Sequence, residues 1–445
     1  MIINHNPGKH SQQYRLHSLL RAISLRSRHM SRLKQAIGAC ILSSILLQGV
    51  TALATTYHVA TTGSDSNPGT EKQPWRTVAH AVSNMVAGDT TYVRGGIYKE
   101  EIIKFRESGT QSAPIKLVNA PGESPIVDCI DPAQVHRIII EHKSGIAGTI
   151  GWITIEGFEI RNCYNGMKII SGHDLTIRRN WIHHNPGTGI LGNGTRILVD
   201  RNIINHNGDI EGCQAGTNQC APGSHGVYLN GTANVITNNV IYDNLTFGVQ
   251  LNGASASNYR PGVHPSAEFA RSENWVIANN TFAYSWRGAG IVVWGSTCNN
   301  ARIENNIFYE NAVSSPKATQ GIHFTSTTCT GVTIKNNLAY ASGSGGTSFL
   351  GLWAIEGVHY TQSGNIVNVS DPRFVNAPAT LPSSPNFALT ERSPAIDAGL
   401  PLPMTKVAFD GTPRPQGRAY DIGAYEYSGN NDVKGPSSPV ALQVR

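Results

Sequence analysis

VIANNTF from Val276, RIENNIF from Arg302 and TIKNNLA from Thr333 repeat one short pattern: a β-rich stretch, a tight turn closed by Asn, and a second stretch whose second residue is apolar. Four earlier strings align with them: ITIEGFEI from Ile153, LTIRRNWI from Leu175, ILVDRNII from Ile197 and VITNNVI from Val235. In six of the seven the turn ends on Asn, at Asn180, Asn202, Asn239, Asn280, Asn306 and Asn337. A second string runs between them: GMKI from Gly166, GILG from Gly189, GVYL from Gly226, GVQL from Gly248, GIVV from Gly290 and GIHF from Gly321. The strands are too short for a sandwich and no helical spacing intervenes. One such unit cannot bury its apolar face alone, whereas stacked coils about 4.8 Å apart share one core. The chain is therefore expected to be all-β, a single-domain right-handed parallel β-helix. The Asn column is expected to be structural: Asn tolerates the left-handed conformation that a tight turn needs, and stacked amides can hydrogen-bond along a column.

The ends and the cysteines fit this scheme. TVAHAVSNMV from Thr77 places Val78, Val82 and Met85 on one face of a short N-terminal capping helix, with the first coil expected at Gly88-Asp89. The rungs fade after about Asn368, and residues 428–445, rich in Gly, Pro and Ser, are expected to be a disordered tail. Residues 36–54, preceded by the basic flank of Arg32 and Lys34, have the apolar run and small-x-small end of a secretory signal, so 1–54 is expected to be a leader (with Met30 as an alternative start) and 55–427 the β-helix domain. Of 35 Lys and Arg, seven lie in residues 1–54, which hold no acid; the remainder carries 28 bases against 29 acids, which argues against nucleic acid as a partner. After cleavage no membrane span is expected, the product being a periplasmic or extracellular monomer. Six cysteines remain beyond the leader, and an even number in an exported chain reads as disulfides. Cys298 and Cys329 occupy equivalent positions one coil apart, Cys213 and Cys220 share one insertion, and Cys129 and Cys163 end equivalent strands one residue out of register.

YHVATTGSDSNPGTEKQPWRTVAHAV from Tyr57, followed by GDTTYVRGGIY from Gly88, resembles the opening segment of secreted bacterial right-handed parallel β-helix proteins, among them the family 9 pectate lyases. SPAIDAG from Ser393 and DIGAYEY from Asp421 resemble the closing segment of the same broad group. The resemblance implies that one sheet forms the floor of a sugar groove, and that activity is on an acidic polysaccharide. It also implies a calcium-binding aspartate cluster and a lysine base. The comparable strings here, NPGTGIL from Asn185 and SHGVYLN from Ser224, carry no paired aspartates, so calcium would have to use Asp209 and Glu211 in the 208–224 insertion.

Period two assigns the floor. The residue after each repeated Gly points inward and the next points outward, giving Lys168, Leu191, Tyr228, Gln250, Val292 and His323 in one column. Two positions on, Asn230, Asn252 and Trp294 share a second column. Insertions 208–224 and 253–273 wall the floor, the latter carrying Arg260 and His264. β-Elimination on a uronate needs a base for the proton beside the carboxylate and a group that stabilises the enolate. Lys168, His225 and Tyr228 are the base and acid candidates. Asn230, Gln250, Asn252, Arg260, Arg287, Trp294 and His323 are candidates for holding substrate. A lyase is favoured. A non-catalytic glycan-binding or cell-surface protein is the alternative, with epimerase or glycoside hydrolase behind it, since hydrolysis needs two facing carboxylates that neither column supplies. Peptide mapping without reduction should recover a Cys213–Cys220 link; a Cys213–Cys298 link would break the coil register.

Overall fold

The computed structural model describes residues 54–99, 102–129, 138–145, 148–208, 224–253, 265–295, 298–314, 321–325, 328–341, 349–352, 359–368 and 370–429. Among them the backbone winds through three parallel sheets. The first has eleven strands, from Thr56–Val59 to Tyr360–Ser363; the second has ten, from Gly96–Tyr98 to Ile366–Val367; the third has ten, from Ile103–Phe105 to Leu350–Leu352. One complete coil is the third-sheet strand Met167–His173, the first-sheet strand Thr176–Arg178 and the second-sheet strand Trp181–His183, before Ile190–Thr195 opens the next. The repeated strings stack as their alignment predicts, Met167 on Ile190 on Val227 on Val249 on Ile291 on Ile322. All six side chains are buried.

The Asn column is a continuous hydrogen-bonded ladder. The Asn180 backbone N–H and side-chain amide both donate to Asn202 Oδ1, at 2.9 and 3.1 Å. The same paired contact passes from Asn202 to Asn239, Asn280, Asn306 and Asn337, and on to Asn365, a seventh member that the repeat alignment does not include. The conformational reason expected for Asn belongs to its neighbour instead. The residues with positive φ are Arg179, Arg201, Asn238, Asn279, Asn305 and Asn336, each one position earlier. The ladder Asn is selected because its amide can accept from the rung on one side and donate to the rung on the other. A shorter ladder, Asn185 to Asn207 to Asn244, does the same at the turn into the third sheet.

Two predicted disulfides are present. Cys298–Cys329 and Cys129–Cys163 each join neighbouring coils with Cα atoms 5.0 Å apart. Arg161 pairs with Asp128, which puts Cys163 one residue out of step with Cys129. Cys213 and Cys220, residues 1–53 and residues 430–445 lie outside the described residues.

The two ends depart from expectation in informative ways. The helix Val78–Asn84 is capped by Thr77, whose side chain accepts from His80 N, and it buries Val78, Ala81 and Val82 with Met85 just beyond. The first sheet, however, begins one strand earlier than Gly88-Asp89, because Thr56–Val59 pairs in parallel with Thr90–Val93. At the other end, the closing segment does not simply follow the last rung. Phe387, Leu389, Ile422 and Tyr425 pack against Val240, Tyr284, Ile307, Tyr309 and Leu338 of the second sheet. The segment therefore folds back along a flank. Among the described residues no helix is long and apolar enough to cross a membrane.

Asn280 tests the ladder. Its Nδ2 donates to Ile236 O and Asn306 Oδ1, and its Oδ1 accepts from Asn239. Asn280→Leu should cost roughly 1–3 kcal/mol for each buried group left unpaired and lower the unfolding midpoint accordingly. An unchanged midpoint would show that the ladder adds nothing to stability.

Candidate functional site

The third sheet presents its outward side chains in two columns. Register runs Lys104, Ile139, Lys168, Leu191, Tyr228, Gln250, Val292 and His323 in the first. Asn193 beside Asn230, and Asn252 beside Trp294, form part of the second. The predicted floor residues Lys168, Tyr228, Gln250, His323, Asn230, Asn252 and Trp294 thus share one face, and Lys168 and Tyr228 stand two rungs apart, about 10 Å.

Their surroundings differ. Lys168 is half-buried and makes no hydrogen bond or ion pair with the described residues; burial holds its ammonium below the ordinary lysine range. Burial likewise pushes the Tyr228 phenol up and the His323 imidazole down. Trp294 is 49% exposed, offering an open indole face. Gln250 and Val292 point outward yet are buried, at 6% and 0% exposure. Period two decides which side a residue faces but says nothing about what lies over it, so Gln250 does not line an open floor. Arg287 is half-buried in the turn before the strand Ile291–Gly295. Arg260, His264, Asp209 and Glu211 lie outside the described residues.

His225 is set apart from the other two acid and base candidates by its burial. It is 3% exposed, its Nδ1 hydrogen-bonds Thr246 Oγ1, and burial lowers its pKa to about 3, so the ring is neutral. Thr246 Oγ1 also donates to Ser224 O, which leaves the imidazole Nδ1–H as the donor to Thr246. The ring meets Tyr228 edge-on with centroids 5.4 Å apart, and Phe247 lies at 5.6 Å. His225 therefore braces the Tyr228 ring from a buried position.

The repeated glycines did not lead to the earlier rungs, where IKF at 103–105 and IIIE at 138–141 lack that marker. There Glu141 pairs with Lys104 and lies 3.9 Å from Arg106. Alternation alone within these two strings would have found Lys104 and Glu141.

Residues 57–218 match the family model described as Pel9A-like, right handed beta helix region. The solved structure of pectate lyase Pel9A superposes with a TM-score of 0.51 at 19% identity, covering 83% of this chain and 96% of that one. The fold is the right-handed β-helix of Pel9A. In sequence, the chain is 34% identical over 97 residues to the uncharacterized protein YwoF of Bacillus subtilis, and 42% identical over 77 residues to pectate lyase PEL9 of Emericella nidulans. It spans about a fifth of each: 20% of the first and 19% of the second.

Calcium, the metal the Pel9A-like resemblance implies, needs several oxygen ligands and usually more than one carboxylate. The described floor residues do not fit it. Glu141 is the one carboxylate on this face among them, and Lys104 already holds it. No group of three His, Cys, Asp or Glu is arranged to hold a metal among the described residues.

Burial separates the two aromatic partners experimentally. His225→Ala should cost roughly 1–3 kcal/mol by leaving the buried Thr246 Oγ1 without its imidazole partner. Tyr228→Phe should change stability by about 0.5 kcal/mol or less. Urea unfolding midpoints measure both, and equal effects would refute the bracing role of His225.

Proposed function

We propose that this chain is an exported polysaccharide lyase that cleaves a uronate-containing polysaccharide by β-elimination on the third-sheet floor. The observation that carries the proposal is Lys168: a half-buried lysine without an ion pair among the described residues, on the same outward column as Tyr228. Export is supported by the two inter-coil disulfides, which suit an oxidising compartment.

In this mechanism neutral Lys168 removes the proton at C5 of the uronate, beside the carboxylate. The electron pair passes through the enolate to form a C4–C5 double bond, and the C4–O bond breaks. The leaving oxygen takes a proton from Tyr228, whose raised pKa keeps it protonated until that moment, and becomes the new reducing end. Tyr228 then recovers a proton from water. Asn230 and Asn252 hold hydroxyl groups, Trp294 stacks on a sugar face, and His225 positions Tyr228. Partial burial of Lys168 favours this base because it disfavours the charged form that cannot accept a proton.

The exposed Trp294 also favours a second reading, a glycan-binding protein without turnover. Incubation with polygalacturonate, alginate and glycosaminoglycans, read as new unsaturated-uronate absorbance, separates the two. With a cleaved substrate in hand, kcat should rise with pH as Lys168 loses its proton, with a midpoint below the ordinary lysine value of about 10.4. Lys168→Arg, which keeps the charge but cannot act as a base, should lower kcat by about 10²–10⁴. Wild-type turnover in that variant would remove Lys168 from the mechanism, and binding without cleavage by the wild type would leave the second reading.

A further inference from the structure

One corner of the helix carries features that the groove does not use. Between the third and first sheets each coil turns through a residue with positive φ. In successive rungs these are Trp152 (56°), Asp174 (50°), Arg196 (55°), Ala233 (57°), Asn274 (58°) and Asn300 (58°). They form one column, because the first-sheet strands that follow are in register, Thr154 on Thr176 on Leu198 on Val235 on Val276 on Arg302. Asn suits this conformation, whereas a bulky aromatic residue there is an outlier. Such outliers point toward function when the surroundings supply a use.

The surroundings do. Trp152, Thr154, Asp174, Thr176, Arg196 and Leu198 help to line a concavity of about 340 Å³, at the small end for ligand pockets, which run from about 300 Å³. Trp152 is half-buried, and its indole N–H makes no bond to the described residues. Next to it, Arg196 grips Asp174 at two points, Nε to Oδ1 at 2.9 Å and Nη2 to Oδ2 at 2.8 Å. His173 Nδ1 lies 2.9 Å from Asp174 Oδ2. An aromatic plane beside a locked polar fork and two threonine hydroxyls is what a sugar ring meets, its C–H face on the indole and its hydroxyls on the fork. The charge decides which sugar. Among the described residues that line the concavity Arg196 is the one cation and Asp174 matches it, so a uronate carboxylate there would face an acid and no free cation, while an uncharged ring loses nothing; Lys116, beside Thr154 in the sheet register, is outside that lining.

We propose that Trp152, Asp174 and Arg196 form a second carbohydrate-binding site, separate from the floor, that takes an uncharged pyranose residue of a polysaccharide. Asp174 belongs to the same coil as Lys168, six residues further on, so the site lies at most about 20 Å from the floor column and around the corner from it. A chain bound at this corner would be held to the protein without occupying the elimination site. The site stands independently of the lyase reading, since it can be assayed by binding alone.

Isothermal titration of the mature protein with xylohexaose, β-1,4-mannohexaose, β-1,4-galactotetraose and oligogalacturonate tests this. Saturable binding is expected to at least one of the three neutral oligosaccharides, weakened at least about tenfold by Trp152→Ala. Thr154→Met, which fills the pocket and leaves Trp152 in place, should weaken it equally and serves if the first variant does not fold. Cleavage of any short acidic substrate at the floor should be unchanged in both. Absence of binding to all three neutral oligosaccharides would overturn the proposal, as would binding that survives both variants. Trp152-dependent binding of oligogalacturonate alone would overturn the assignment to an uncharged sugar.

Discussion

The amide ladder from Asn180 to Asn365 is the constraint on which the coils depend. Each rung's buried Asn accepts from the backbone and side chain of the Asn before it and donates to the Asn after it. A buried amide left without partners costs roughly 1–3 kcal/mol, so a coil that slipped by one residue would lose several such bonds together. It would also send its apolar residues outward, because side chains alternate with period two. The insertions can vary in length without disturbing this. Asn202 and Asn239 are 37 residues apart and Asn180 and Asn202 only 22, yet the contacts between them are the same. Register at the turn is thereby passed to the floor, where Lys168 and Tyr228 come to stand two rungs apart.

The doubled asparagines have two separate tasks. In Asn279-Asn280, Asn305-Asn306 and Asn336-Asn337 the second member belongs to the ladder. The first has positive φ and turns its amide outward to the returning C-terminal segment. Asn279 donates to Asp421 O, Asn305 to Leu400 O and Asn336 to Ala398 O. Rungs at Arg179-Asn180 and Arg201-Asn202 have Arg at the first position, and no bond from Arg179 or Arg201 to that segment is among those observed. The segment is itself locked by Arg414, fully buried with Glu426 and donating to the carbonyls of Asp421, Gly423, Ala424 and Tyr425. That arrangement covers the second sheet around Val240, Ile307, Tyr309 and Leu338, whereas the third sheet carries the exposed Trp294.

Most of the fold was legible because a repeat reports the same fact many times. Strand pairing, the inward column and two disulfides followed from aligning short strings. Three things were not legible, each for a physical reason. The left-handed residue was misplaced by one position because Asn favours both tasks, and only backbone angles separate them. The closing segment's flank packing depends on contacts across more than a hundred residues, as between Asn279 and Asp421, which no local period encodes. In the candidate site, burial was the missing quantity. His225 and Tyr228 are three residues apart, yet one is sealed against Thr246 and the other faces outward, and alternation alone cannot distinguish a covered position from an open one.

The electrostatics of the floor follow from the same geometry. A flat parallel sheet has no cleft of its own, so its chemistry comes from a line of side chains at fixed spacing. Along that line Lys104 is already paired with Glu141, whereas Lys168, two rungs on, has no such partner among the described residues. An acidic chain lying across the rungs would meet a neutralised cation at one end and an unpaired one in the middle. The unpaired lysine is also the one with an apolar neighbour on either side in its column, Ile139 and Leu191. Those neighbours reduce hydration of the ammonium, so the position that most attracts a carboxylate is also the one that most readily gives up its proton. Covering by a bound polysaccharide would remove more water and favour the neutral amine further, while the substrate's carboxylate would favour the ammonium. If the floor takes a uronate chain as proposed, the balance between these two opposing effects, set by how close the carboxylate lies to Lys168, decides whether Lys168 can act as a base.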